Sequence, residues 1–346
     1  MKDLKYLAAY SIPIVAIIGL YLEGIWTFLT PVYAFGFIPV LEIILSQDPA
    51  NLTQEEASEK KKKRLFDVLL YLNLPIVYSI IGYFLYSLTW ANYSNFEIVG
   101  LIFSVGIVLG GNGINVAHEL GHRTTQWEKT LGKILLLPAL YMHFFIEHNF
   151  GHHKNAATAE DPASAKYNQS VYSFWVSSML HQYFNAWKIQ KELLKREGRG
   201  FFSNKNDMFW YSIFQFAYLG VIFIIMGGMA ALIAMAIALT AAVLLETINY
   251  IEHYGLSRKK LASGRYERVQ EIHSWNSNHV LGRIMLYELT RHSDHHYKSS
   301  KKYQLLDCHE SSPQMPFGYP TSMMLSLLPP LWFKIMNKRI PVEMRT

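Results

Sequence analysis

The sequence predicts an all-α integral membrane protein: six transmembrane helices carrying a histidine-rich cap on the cytoplasmic side. Three observations predict it. Just over half of the 346 residues are apolar (51%) and only 17% are charged, against about 25% in an average soluble domain. The apolar residues are bunched into stretches that match a hydrocarbon core of about 30 Å, which takes roughly 17–25 helical residues. The 14 histidines are bunched as well, mostly at or between the ends of those stretches.

The composition also excludes several classes. A chain with 14% Phe, Trp and Tyr buries itself and is not intrinsically disordered. The single cysteine, Cys308, rules out a disulfide scaffold. It equally rules out zinc ribbons and iron–sulfur clusters built from several thiolates of this chain.

The six stretches run Tyr6–Leu22, Ile25–Leu45, Leu65–Trp90, Glu97–Ala117, Met208–Met226 and Met229–Leu245. Pro13, Pro31, Pro39 and Pro75 fall inside them, which membrane helices tolerate because neighbours satisfy the freed carbonyls. The first stretch lacks a strong basic lead and a small-residue cleavage site, so it reads as a retained helix rather than a signal peptide. Lys and Arg set the orientation. Lys2 and Lys5 precede the first stretch, and Lys60, Lys61, Lys62, Lys63 and Arg64 lie between the second and third. None occurs from Leu65 to His122 or from Asp207 to Ser257. All 32 basic residues then fall on one side, with both termini cytoplasmic. This asymmetry accounts for the net charge of +6 without invoking nucleic acid. Thr53–Arg64 reads as a charged helical linker and Leu135–Ile146 as a short buried or interfacial helix. The cytoplasmic blocks 118–206 and 247–346 do not look independent, so residues 1–346 read as a single membrane domain.

Four segments carry the chemistry: His118-Glu-Leu-Gly-His122, Glu147-His-Asn-Phe-Gly-His-His153, Asn249-Tyr-Ile-Glu-His-Tyr-Gly255 and Arg291-His-Ser-Asp-His-His296. Residues three and four apart share a helix face. His118 and His122 are so spaced, as are His148 and His152 with His153 alongside, and His292, His295 and His296. His253 adds one more, giving nine imidazoles. A zinc site takes four ligands, and a catalytic one usually three plus water, so nine imidazoles fit two ions. Imidazole suits iron, copper, zinc and nickel. Only Glu119-x-x-His122 fits the spacing of carboxylate-bridged di-iron bundles, so a di-iron site here is histidine-rich. Isolated His143, His181, His273, His279 and His309 read as ordinary core or surface residues. Glu119, Glu147, Glu252 and Asp294 flank the histidines and are candidates to accept their outer N–H groups. Asn112, Asn115, Glu246 and Asn249 either line the site or bond between helices. His118-Glu119-x-x-His122 alone also matches a zinc-protease helix with Glu119 as base, but that reading leaves six clustered histidines unused.

At these residues the sequence resembles the membrane-bound alkane monooxygenases, within the wider membrane desaturases and hydroxylases. The resemblance rests on His-Glu-Leu-Gly-His-Arg at 118–123, Glu-His-Asn-Phe-Gly-His-His at 147–153, Asn-Tyr-Ile-Glu-His-Tyr-Gly at 249–255 and Leu-Thr-Arg-His-Ser-Asp-His-His at 289–296. His273-Ser-Trp-Asn-Ser-Asn-His279 and Gly318-Tyr-Pro320 also look like the family. Arg123, Glu288 and Tyr297 depart from it, where lysine, histidine and a small residue are common.

The resemblance implies a di-iron enzyme of the bacterial inner membrane. It implies hydroxylation of the terminal methyl of medium- or long-chain n-alkanes, with O₂ as co-substrate and no haem or bound flavin in this chain. Electrons come from a separate rubredoxin and its NADH-dependent reductase, since one cysteine cannot build a rubredoxin. Xylene-monooxygenase-like and fatty-acyl hydroxylase or desaturase activities share the motifs. The alkane is expected to arrive from the bilayer through a channel, with Leu101, Phe103, Ile107 and Ile114 as candidate walls.

Overall fold

The computed structural model describes residues 2–345; Met1 and Thr346 of the expected domain lie outside the described residues. Among the described residues the regular structure is helical, with three isolated β-bridges and no strand. Six helices are long and apolar enough to cross a membrane: Asp3–Leu22, Gly24–Ile44, Leu65–Ser87, Asn95–Gly121, Asp207–Met226 and Gly228–His253. The expected stretches match these, but the fourth and sixth run on. Both continue through buried polar residues, His118 and Glu119 in one and Glu246, Asn249, Glu252 and His253 in the other. A hydropathy reading stops at the first such residue. The helix does not, because its backbone bonds are local and the side chains find partners inside the protein.

Two compact units emerge. The first comprises residues 2–37, 64–146 and 186–245. Its centre is the fourth span, the most buried of the six, whereas the fifth is the most exposed. Helices in lipid gain little from apolar contact alone and associate through small residues and hydrogen bonds. Gly106 and Gly110 supply the small surface: a Cβ on Gly106 would meet the Thr240 methyl at 2.5 Å, and one on Gly110 would meet Leu244 Cδ1 at 3.4 Å. Asn112 donates to Asn73 Oδ1 (2.8 Å) and to the Ala9 carbonyl (3.2 Å), joining the first, third and fourth spans. Asn112 thus serves helix association. Ser94 and Glu97 form a reciprocal cap at the start of the fourth span. Glu97 also accepts from the Gly24 amide at 2.7 Å.

In the same unit, Leu135–Ile146 is buried over most of its length but is not one helix. The helix Gln126–Leu136 ends there, Pro138 follows, Leu140 adopts a left-handed conformation (φ 52°), and a short helix resumes at Phe144–Glu147. Proline removes a helix donor, so the apolar run turns inside the protein. An apolar cavity of about 610 Å³ opens between Gln126–Leu136 and the fifth span, with the Lys133–Asp207 ion pair (2.8 Å) in its wall. Of the four proposed channel-wall residues, Leu101, Ile107 and Ile114 are buried and Phe103 is exposed.

The second unit comprises residues 38–63, 147–185 and 246–345. The charged linker is the helix Gln54–Lys62, started by a Thr53–Glu56 capping box. The aromatic core holds Tyr250, Tyr254, Trp275, Tyr319 and Trp332, all fully buried. Trp275 donates its indole N–H to the Tyr254 carbonyl (2.9 Å) and its amide to the Glu252 carbonyl (2.8 Å). The irregular 255–345 segment is thereby fastened to the end of the sixth span. A 26-residue helix, Val171–Arg196, was not expected from the sequence. Within this unit its residues Ser178 and Gln182 hydrogen-bond Glu246 at 2.7–2.9 Å, while Tyr172, Val176, Leu180 and Phe184 form an exposed apolar stripe. The mixed polarity hides it from a search for spans, yet the i, i+4 stripe is that of an interfacial helix.

Candidate metal centre

The second unit gathers seven of the nine clustered histidines. His152, His253, His292 and His296 form one group, buried throughout, whose ligand atoms all lie within 4.8 Å of one another. Its Nε2–Nε2 separations are 3.1 Å (His152–His296), 3.1 Å (His253–His292) and 2.9 Å (His292–His296). His148, His153 and His295 form another, with His153 Nε2 at 3.0 Å from His148 Nε2 and 3.2 Å from His295 Nε2.

These groupings differ from the i, i+4 expectation. His148 meets His153, five residues on, while His152 faces the other group. The reason is local. Residues His148–His152 form a π turn, whose i→i+5 repeat sends adjacent histidines to different groups. The last cluster divides likewise: His295 joins His148 and His153, while His292 and His296 join His152 and His253.

The spacing constrains the guest. At a metal–nitrogen distance of about 2.1 Å, donors at right angles stand about 3.0 Å apart and tetrahedral donors about 3.4 Å. Separations of 2.9–3.2 Å are those of donors close enough to share one ion. Inward-facing Nε2 lone pairs at this distance repel unless a cation or shared protons lie between them. The donor set and its spacing fit two metal ions.

His118 and His122 belong to the first unit, at the end of the fourth span. Their rings stand 5.0 Å apart, nearly perpendicular, with Phe144 at 6.3 Å from His118. Arg123 next to them bridges Glu119 (3.1 Å) and Asp67 (3.1 Å) in a buried ion cluster. Removing one partner of a buried pair strands the other charge, at a cost of about 3–5 kcal/mol. Arg123→Ala is accordingly expected to lower the thermal unfolding midpoint by several degrees, with R123K recovering part of it; an unchanged midpoint would deny the cluster any structural role.

Residues 94–322 match the fatty acid desaturase family. The chain is 39% identical over 320 residues to alkane 1-monooxygenase 2 of Pseudomonas aeruginosa, a match covering 91% of this chain and 84% of the relative. It is 35% identical to alkane 1-monooxygenase 2 of Alcanivorax borkumensis, over 98% of this chain and 91% of the relative. The chain belongs to the alkane 1-monooxygenase family. A more distant relative is the hydroxylase component of a xylene/toluene monooxygenase of Pseudomonas putida, 28% identical over 98% of this chain and 89% of the relative. Membership makes the chain an oxidoreductase and a multi-pass membrane protein, and it replaces the protease reading of His118-Glu119-x-x-His122.

Around the histidines of this monooxygenase the four flanking carboxylates go different ways. Glu119 is held by Arg123. Glu147 accepts from Asn185 Nδ2 at 3.1 Å, and burial, then repulsion from Asp161, raises its pKa. Glu252 accepts from the Tyr319 hydroxyl at 2.8 Å, and its other oxygen lies 3.3 Å from His292 Nε2. Asp294 is taken up by Lys301 (2.6 Å), the Asp307 amide (2.8 Å) and His309 (2.8 Å), which braces the helix His292–Tyr297 from outside.

One carboxylate escaped the sequence reading. Asp161 Oδ2 lies 2.9 Å from His152 Nδ1, both fully buried. Burial opposes its charge, but His152 outweighs burial and lowers its pKa; His152 is raised in return. Asp161 sits eight residues beyond the cluster, so adjacency does not find it. The remaining histidines take ordinary roles. His181 bonds the Ser177 carbonyl (2.6 Å), His279 bonds Ser277 (2.9 Å), and His273 accepts from the Gln270 amide (2.9 Å). His143 is buried against Tyr141, and burial pushes its imidazole down to about 3.

Proposed function

We propose that this protein hydroxylates the terminal methyl of medium- or long-chain n-alkanes, using two irons held by its nine clustered histidines. His152, His253, His292 and His296 hold one iron. His148, His153 and His295 hold the other, and His118 and His122 are the remaining two of the nine donors. The balance is RH + O₂ + 2 e⁻ + 2 H⁺ → ROH + H₂O. The observation that carries the reading is the pair of close histidine groups in a chain whose relatives are alkane monooxygenases.

When bound, the metal pair supplies the O₂ activation that an unreactive C–H bond requires, which no side chain supplies by acid–base chemistry. The chain's own contribution is arrangement. Imidazole donors add no negative charge, and their outer nitrogens are available to orienting acceptors. Leu101, Ile107 and Ile114, buried and apolar, are the proposed walls of the route for a lipid-soluble chain. Electrons arrive from a separate rubredoxin reduced by an NADH-dependent reductase, because the lone Cys308 cannot build an iron–thiolate centre. The Lys- and Arg-bearing connections face the cytoplasm, in the bacterial inner membrane with both termini inside, where a basic face steers an acidic partner.

A second reading, hydroxylation of aromatic methyl groups, is favoured only by the xylene/toluene relative at 28% identity. The test is product analysis with rubredoxin, its reductase and NADH on octane, dodecane and xylene in parallel. The expected result is 1-octanol or 1-dodecanol, dependent on rubredoxin. Methylbenzyl alcohol alone would favour the second reading, and an alkene product would indicate desaturation.

A further inference from the structure

We propose that Asp161 fixes His152 as a metal donor, holding its ring so that Nδ1 carries the proton and Nε2 presents a lone pair to the four-histidine group. This rests on the metal reading of that group given above. The ring nitrogen that each carboxylate touches separates the roles. Glu252 approaches His292 at Nε2, the nitrogen that also faces His253 and His296. Asp161 approaches His152 at Nδ1, while His152 Nε2 faces His296 at 3.1 Å. Asp161 thus stands behind the ring. A carboxylate there selects the tautomer, sets the ring plane and raises donor basicity.

Asp161 is itself held. Its Oδ1 accepts from the Ala163 amide (3.2 Å) and its Oδ2 from the Ser164 hydroxyl (2.5 Å). Ser164 Oγ in turn accepts from the Ala157 amide at 2.8 Å, where the backbone is left-handed (φ 58°). Arg258 clamps the turn between His153 and Asp161: its guanidinium donates to the Lys154 and Ala156 carbonyls (2.9 and 3.2 Å), and its amide donates to the Ala157 carbonyl (2.7 Å). A strained residue, a half-buried serine and an arginine clamp all serve to place one carboxylate at one nitrogen. Asp161 is a positioning residue acting through His152.

The test is a cobalt(II) titration of the metal-free, full-length protein in detergent, read by calorimetry and by the ligand-field absorption of each equivalent. D161N keeps an acceptor but loses the charge, whereas D161L loses both. D161N is expected to weaken one of two equivalents by roughly 10–100-fold and to shift its absorption, with the other equivalent and the helical circular dichroism unchanged. D161L is expected to weaken the same equivalent further. Should D161L not fold, Ser164→Ala gives the intermediate case, a smaller weakening of that equivalent alone. Wild-type affinity and spectrum at both equivalents in D161N would overturn the proposal, as would equal weakening of both with loss of helix. A wild-type protein that takes up fewer than two equivalents would instead overturn the two-metal reading on which it rests.

Discussion

Replacing His292 with alanine is expected to leave about one iron per chain and to cut alkane turnover by roughly a thousandfold or more. His292 is the most connected donor of its group, with Nε2 at 2.9 Å from His296, 3.1 Å from His253 and 3.3 Å from a Glu252 oxygen. Its removal leaves three imidazoles and opens a buried hole that water can enter. The other group retains its donors, so iron content falls by half rather than to zero. Loss of one of two cooperating ions still stops two-electron activation of O₂. Elemental analysis and single-turnover assays check the two halves of the expectation. Full iron and normal turnover in His292→Ala would remove the four-histidine group from the account.

Inserting one alanine after Phe150 is expected to have a comparable effect without touching any histidine. The π turn His148–His152 carries one residue more than an α-helical turn, and that residue lets His148 reach His153 while His152 faces Asp161 and His296. Phe150 is half-exposed within the turn. The insertion gives the i→i+5 spacing to His148 and His152, which now serve different groups, and carries His153 away from His148. Loss of bound metal and at least about a hundredfold loss of turnover are expected. Phe150→Ala, which keeps the backbone count, is expected to retain both. Wild-type metal content in the insertion variant would show that the turn is incidental, and equal loss in Phe150→Ala would assign the effect to the side chain.

The six spans were legible because hydropathy over some twenty residues depends on no distant partner. The histidine clusters were legible because their spacing is local. Three other features lie beyond local pattern. The allocation of His148, His152 and His153 depends on a π turn, and nothing in Glu-His-Asn-Phe-Gly-His-His announces one. Asp161 becomes the partner of His152 only once Arg258 and Ser164 fold the intervening turn back. The helix Val171–Arg196 joins an exposed apolar stripe to a buried polar face that meets Glu246, so its mean character is neutral and its length went unseen. Asn112 shows the converse: the sequence allowed it to line the site or to tie helices, and its bonds to Asn73 and the Ala9 carbonyl settle on the second.

The measurement that bears most directly on the account is the isotopic composition of the alcohol formed from dodecane under ¹⁸O₂, with rubredoxin and its reductase supplying electrons. The account predicts 1-dodecanol carrying one ¹⁸O atom, formed only by protein that retains both irons. Unlabelled alcohol, an alkene, or undiminished product from iron-free protein would contradict it.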